Sequence, residues 1–130
     1  MKKHIAILFT SLLLLVSQAS HADFTVAMYK QLKELTVKAD AESSKKAGDM
    51  IDTYLMGVAS GVSEISQFEK VGKGIELPYC LPKGTRITPS FARYIVDSLL
   101  SDKDVKLDNV DDISLSRIYV IGLLRFYRCQ

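Results

Sequence analysis

The chain has 130 residues, 48% of them apolar, with seventeen basic and fifteen acidic side chains, two cysteines and no tryptophan. Both histidines, His4 and His21, fall in the first 22 residues together with Lys2 and Lys3, so residues 23–130 carry fifteen charges of each sign and no imidazole. That excludes Ser–His and Cys–His nucleophilic pairs and histidine metal sites from that part of the chain, and a neutral balance argues against nucleic acid as a partner.

The chain opens with the basic step Met1-Lys2-Lys3, followed by an apolar run from Ile5 to Val16 and small residues in Ser20-His21-Ala22. This pattern predicts a secretory signal over 1–22, cleaved before Asp23. A short membrane anchor is the alternative, disfavoured by length. No cysteine follows the apolar run, so no lipid attachment site is expected. Residues 23–130 are expected to form one domain that no longer contacts a membrane, with no later segment long enough to span one.

Thr25 to Val37 reads as a helix: Phe24, Ala27, Met28, Leu32 and Leu35 fall at helical spacing with Lys30, Lys33 and Glu34 between them. The polar stretch from Asp40 to Lys46 is either a connection or the first turn of the next helix. That second helix is the clearest in the chain, with Ala47, Met50, Ile51, Tyr54, Leu55, Val58, Val62 and Ile65 in register. Gly57, Ser60, Gly61 and Glu64 share one of its faces. So small a face suits a close neighbour: another helix of the same chain is the favoured reading, a second subunit the sharper one.

Lys70 to Arg86, with three glycines and two prolines, reads as the longest irregular stretch. Thr88-Pro89 supplies an N-cap and a first-turn proline for a third helix, whose stripe is Phe91, Ala92, Ile95, Val96, Leu99 and Leu100. An acidic connection follows, with Asp102, Asp104, Asp108, Asp111 and Asp112 set against Lys103 and Lys106. Ser114 or Asp112 caps a last helix that is apolar nearly all round from Ile118 to Phe126, the pattern of burial on several sides. No strand alternation stands out. The expected fold is all-α, a compact single domain of about four main helices.

Cys80 and Cys129 are the only cysteines. Two cysteines in an exported chain are expected to pair. The bridge would close a loop of about 50 residues, worth roughly 3–4 kcal/mol by chain entropy, and would tie down the penultimate residue. Signal and disulfide together suggest a bacterial periplasm.

No catalytic constellation holds together. The aspartates of the 101–112 connection could imitate a glycosidase pair, but nothing near them in sequence marks a pocket to raise one pKa. They also lack the glycine and terminal glutamate of a helix-loop-helix calcium site. Ser43, Ser44, Lys45 and Lys46 read as a solvated helix start rather than a Ser–Lys dyad. Gly72-Lys73-Gly74 has no strand context for a phosphate loop. Arg117, Arg125 and Arg128 fall roughly on one face, and pairing with the domain's own aspartates is favoured there over anion binding. Neither metal nor cofactor is expected, and a binding protein is the simplest reading.

Tyr54-Leu55-Met56-Gly57-Val58-Ala59-Ser60-Gly61, then Leu77-Pro78-Tyr79-Cys80-Leu81-Pro82, Thr88-Pro89 opening a helix, and Phe126-Tyr127-Arg128-Cys129 at the end occur in an order that resembles the Rap/Tai family of immunity proteins. These are periplasmic proteins that neutralise peptidoglycan amidase toxins delivered by type VI secretion. The resemblance covers roughly Asp49 to Cys129. It implies an all-helical fold, a disulfide between Cys80 and Cys129, often a homodimer, and inhibition by inserting a helix or loop into the cleft of a cognate amidase, with no chemistry of its own. The preferred plug is the Ser101–Asp112 connection, with Ser101, Asp102, Lys103, Asp104, Lys106, Asp108 and Asn109 as candidate toxin contacts. Val71–Leu77 is the other candidate. The alternative function is a small periplasmic helical chaperone or envelope factor.

Overall fold

The computed structural model describes residues 23–75 and 78–129; the signal expected over 1–22 lies outside them. Among the described residues four α-helices occur: α1 Val26–Lys38, α2 Ala41–Lys73, α3 Pro89–Ser101 and α4 Leu115–Phe126, with a 3-10 turn at Val110–Asp112 before α4. The all-α expectation holds, and Cys80 and Cys129 are joined. The described residues form no strand, only two isolated bridges, Thr25 with Ser114 and Tyr79 with Arg128.

Each helix start has a local cause. The Thr25 hydroxyl accepts from the Met28 N–H at 3.3 Å, and that of Thr88 from the Phe91 N–H at 3.1 Å ahead of Pro89. Asp40 caps α2 by accepting from the Glu42 and Ser43 N–H groups, each at 3.0 Å. Ser114 holds the cap position of α4 without accepting from a backbone N–H of its first turn; its hydroxyl accepts from that of Ser116 at 3.3 Å. The Leu115 N–H instead donates to the Phe24 carbonyl at 2.7 Å, and the Val26 N–H to Ile113 O at 2.9 Å. The starts of α1 and α4 therefore satisfy each other's orphan backbone groups.

The long helix α2 exceeds the sequence reading at both ends. The polar Asp40–Lys46 segment is its first turn, supported by Lys46–Glu42 and Lys45–Asp49 ion pairs. Its C-terminus runs through Lys70 to Lys73 and stops at Gly74, whose φ of 65° suits a left-handed cap. The irregular stretch expected from Lys70 thus begins four residues later. The helix carries on because Lys70 and Lys73 complement the helix dipole in its last turn and Lys73 pairs with Glu69 at 2.8 Å.

The core is built from Val26 and Tyr29 of α1, Ile51, Leu55 and Ala59 of α2, Ala92, Ile95, Val96 and Leu99 of α3, and Leu115, Ile118, Tyr119 and Leu123 of α4. Helices α3 and α4 pack tightly at one point. A β-carbon placed on Gly122 would meet Cγ2 of Ile95 at 2.5 Å. Gly57 and Gly61, expected to receive a neighbouring helix of the same chain, receive none: a β-carbon at either would meet nothing within 4 Å, and Ser60 beside them is exposed. The core-facing side of α2 is the one bearing Ile51, Leu55 and Ala59, which leaves the small residues turned outward.

Candidate functional site

Two surfaces stand out. The first is the connection from α3 to α4. Its residues alternate in burial: Val105, Leu107, Val110 and Ile113 pack against the core, while Lys103, Asp104, Lys106, Asp108 and Asn109 are exposed. The apolar members anchor the segment, and backbone bonds Val105 N to Asp102 O (3.2 Å) and Asp112 N to Asn109 O (3.0 Å) close its turns. Asn109 adopts φ 48°, the left-handed conformation asparagine tolerates better than most residues.

The candidate contacts do not act alike. Ser101 closes α3 and is exposed. Asp102 is a structural anchor: one carboxylate oxygen accepts from Arg125 Nε at 2.6 Å and the other from the Asp104 N–H at 2.9 Å. These bonds, Arg125 first, hold its pKa below the usual carboxylate range. Asp111 is engaged as well, by Lys30 at 2.7 Å. The exposed residues that enter no ion pair among the described residues are therefore Lys103, Asp104, Lys106, Asp108, Asn109 and Asp112, two lysines among three aspartates. An acidic segment in sequence becomes a charge-mixed exposed segment in space.

The arginine face divides too. Arg125 pairs within the domain, whereas Arg117 and Arg128 are exposed and enter no ion pair among the described residues. Pairing with the domain's own aspartates, the favoured reading, thus applies to Arg125.

The second surface belongs to the C-terminal half of α2. From Ser60 onward only Val62, Ser63, Ser66 and Glu69 are covered even partly. Ile65 and Phe68 are each 67% exposed and Val71 87%. A groove of about 260 Å³ opens beside Ile65, walled by Val62, Pro78, Tyr79, Val120 and Leu124. Ser66 is held there by a 2.9 Å hydrogen bond between its hydroxyl and that of Tyr79. The disulfide and a 2.7 Å bond from the Cys80 N–H to Tyr127 O fix the wall carrying Pro78 and Tyr79. Of the alternative plug Val71–Leu77, Val71–Lys73 is α2 helix, while 76–77 lie outside the described residues.

Helical periodicity gave no notice of two polar locks between helices. Tyr29 donates its hydroxyl to Asp97 at 2.9 Å, and Lys33 donates to the same oxygen at 2.9 Å. Burial, then the bond to Asp97, pushes the Tyr29 phenol well above its ordinary pKa. Arg93 ties α3 to α2 through Asp52 at 2.6 Å and Gly48 O at 2.9 Å. Both sites join helices through residues outside the apolar stripes read from the sequence. Among the described residues no group of His, Cys, Asp and Glu is placed to hold a metal ion, and no helix is long and apolar enough to cross a membrane.

Comparison with protein-family models, with curated proteins and with solved structures finds no match to this chain.

Proposed function

We propose that the protein is an exported immunity protein that binds a peptidoglycan amidase toxin and occludes its cleft, acting by binding and not by turnover. The observation that carries this reading is the 101–112 connection. Four inward apolar side chains and the Asp102–Arg125 pair hold an exposed polar segment on a packed helical base. A binding segment fixed in this way loses little conformational entropy on association, so more of its contact energy appears as affinity. The order of motifs shared with the Rap/Tai immunity proteins supports the same reading, and the basic–apolar–small pattern at the N-terminus together with the Cys80–Cys129 bridge supports action in the periplasm.

Protection of cells tests the reading. A susceptible bacterium is made to express candidate type VI amidases in its periplasm, with and without this chain. Survival against one amidase, lost when residues Lys103 to Asn109 are replaced by a glycine–serine segment of equal length, is the expected result. Lysis by every amidase tried despite abundant folded protein would contradict it.

A second reading, a periplasmic chaperone or envelope factor, draws on the exposed Ile65, Phe68 and Val71. It requires protection of several unrelated unfolding proteins from aggregation, which an inhibitor of one toxin does not provide.

A further inference from the structure

The groove beside Ile65 lies where three parts of the chain meet. Val62 and Ile65 of α2 form one side, Val120 and Leu124 of α4 the other, and Pro78 and Tyr79 close it. Ser66 and Tyr79 bond to each other through their hydroxyls, so the rest of the lining is apolar. The walls are fixed. The Cys80–Cys129 bridge and the bond from the Cys80 N–H to Tyr127 O hold the Pro78–Tyr79 segment to the end of α4, and the Ser66–Tyr79 bond holds it to α2. At about 260 Å³ the groove falls below the roughly 300–1,000 Å³ of small-molecule sites. It has room for an anchoring side chain, not for a whole ligand of that kind.

The rim is cationic. Arg117 stands one turn before Val120 on the same face of α4. Arg128 lies past the end of that helix, outside its register, but its backbone bridges to Tyr79 and it lines a neighbouring hollow together with Leu124. Lys70 lines a third hollow, which shares Ser66 and Tyr79 with the groove. All three are exposed and enter no ion pair among the described residues. Most acids of the surrounding elements do not cancel them. Glu69 is held by Lys73 at 2.8 Å and Asp102 by Arg125 at 2.6 Å. Glu64 lies about 130° around α2 from the wall that Val62 and Ile65 make. Asp104 is the exception: exposed and without an ion pair, it lines the same hollow as Arg128.

We propose that this groove is a docking site for an acidic segment of a partner protein. One large apolar side chain of the segment seats between Ile65 and Leu124, and carboxylates to either side of it pair with Arg117 and Arg128. Charge selects the occupant. An uncharged surface would cover these cations without a counter-charge, which is unfavourable, whereas a carboxylate forms charge-assisted, bidentate bonds with each arginine. From Arg117 to its last residue, Phe126, α4 rises about 14 Å, which an extended segment crosses in about four or five residues. The anchoring residue therefore has an acidic residue about two positions to either side. An apolar anchor in a rigid pocket inside a charged rim is the form of a binding hot spot, with little ordering needed on association. The direction is the reverse of the toxin reading, in which this chain supplies the inserted segment, so the two stand or fall separately.

The test is selection of a displayed library of random nine-residue peptides on the full chain, exported to a host periplasm and purified oxidised. Enriched sequences should carry a large apolar residue with aspartate or glutamate on both sides. A synthetic peptide of that consensus should bind with an affinity that falls as salt is added. Arg117→Glu with Arg128→Glu should weaken it about tenfold or more and turn the same selection toward lysine and arginine. Asp104→Asn, which removes the competing carboxylate, should tighten it about two- to threefold. Ile65→Asp should abolish it. All four positions are exposed, so the melting temperature should hold within a few degrees, and amide shifts on binding should gather at Ile65, Val120 and Leu124. Enrichment without acidic flanks, or no enrichment at all, would overturn the proposal. So would a consensus peptide indifferent to the double arginine change, or one whose shifts gather at Lys103 to Asn109. Binding to phosphatidylglycerol vesicles, lost with the double arginine change while no peptide is enriched, would give the groove to a lipid surface and equally overturn it.

Discussion

Gly122 of α4 lies against Ile95 of α3 so closely that a β-carbon would stand 2.5 Å from Cγ2 and 3.1 Å from the carbonyl oxygen of Ile95. Neither atom can give way easily, since one belongs to a buried branched side chain and the other to helix backbone. Gly122→Ala should therefore destabilise the fold. Overpacking costs about 1–3 kcal/mol, offset by about 1 kcal/mol of helix propensity. Gly57→Ala, which meets nothing, should stabilise by up to about 1 kcal/mol. Urea denaturation of dilute protein checks both. Equal stabilisation by the two substitutions would mean that α3 and α4 do not touch there.

The Cys80–Cys129 bridge spans 49 residues and holds the segment before α3 to the end of α4. By chain entropy a loop of that size is worth about 4 kcal/mol. Cys80→Ser should lower the melting temperature by roughly 15–30 °C for a domain of this length. Loss should begin at the groove wall, seen as faster amide exchange at Tyr79 and Tyr127. A melting curve unchanged under oxidising conditions would remove the bridge from the stability of the fold.

Titration should narrow the stable pH range from both sides. The folded-state pKa of Asp102 is depressed, first by the hydrogen bond from Arg125. Its contribution is complete above the unfolded value, about 4, and is lost as pH falls through the lower folded value. The Tyr119 phenol is raised to about 12, chiefly by burial and then by Tyr79 and Tyr127 nearby. Its contribution is complete below about pH 10, the unfolded value, and is lost as pH climbs toward the folded one. Asp102→Asn should flatten the acid limb of a stability–pH curve, and Tyr119→Phe the alkaline limb. Limbs identical to those of the unaltered protein would count against these two residues.

The exposed segment between α3 and α4 should affect association and not folding. Asp104→Lys with Asp108→Lys removes two exposed carboxylates that make no ion pair among the described residues. The expected stability change is within about 0.5 kcal/mol. Association with a toxin carrying a basic cleft should slow, and the slowing should shrink with added salt. Asp102→Lys should instead unfold or loosen the segment, because it places a second cation against Arg125. Calorimetry and stopped-flow binding separate the two outcomes.

Much of this architecture can be read from apolar spacing. The stripe of α3, most of α4, and Ala47, Ile51 and Leu55 of α2 fall on buried or half-buried positions, and Thr88-Pro89 marks a true helix start. The α1 stripe does not, because Val26 and Tyr29 are the buried residues of that helix while Met28 and Leu35 are exposed, as are Met50 and Ile65 of α2. Periodicity reports burial, so it loses the ends of α2. The turns over Ala41–Lys46 and Lys70–Lys73 are exposed and are sustained by the Asp40 cap, i,i+4 ion pairs and Gly74. Glycine in a helix signals a space, not which neighbour fills it. Gly57 and Gly61 proved open, while the tight contact fell at Gly122, whose position inside an apolar helix was the available hint. The acidic run at 102–112 reads as one charged feature because sequence does not reveal that Asp102 faces Arg125 and Asp111 faces Lys30.

The most direct test of the proposed function is titration of the oxidised protein into purified type VI amidases while peptidoglycan cleavage is followed. One amidase should be silenced at a fixed stoichiometry with nanomolar affinity, the inhibitor should emerge uncut, and replacing Lys103 to Asn109 should abolish the effect while the helical fold survives. Undiminished cleavage by every amidase in the presence of excess folded protein would contradict it.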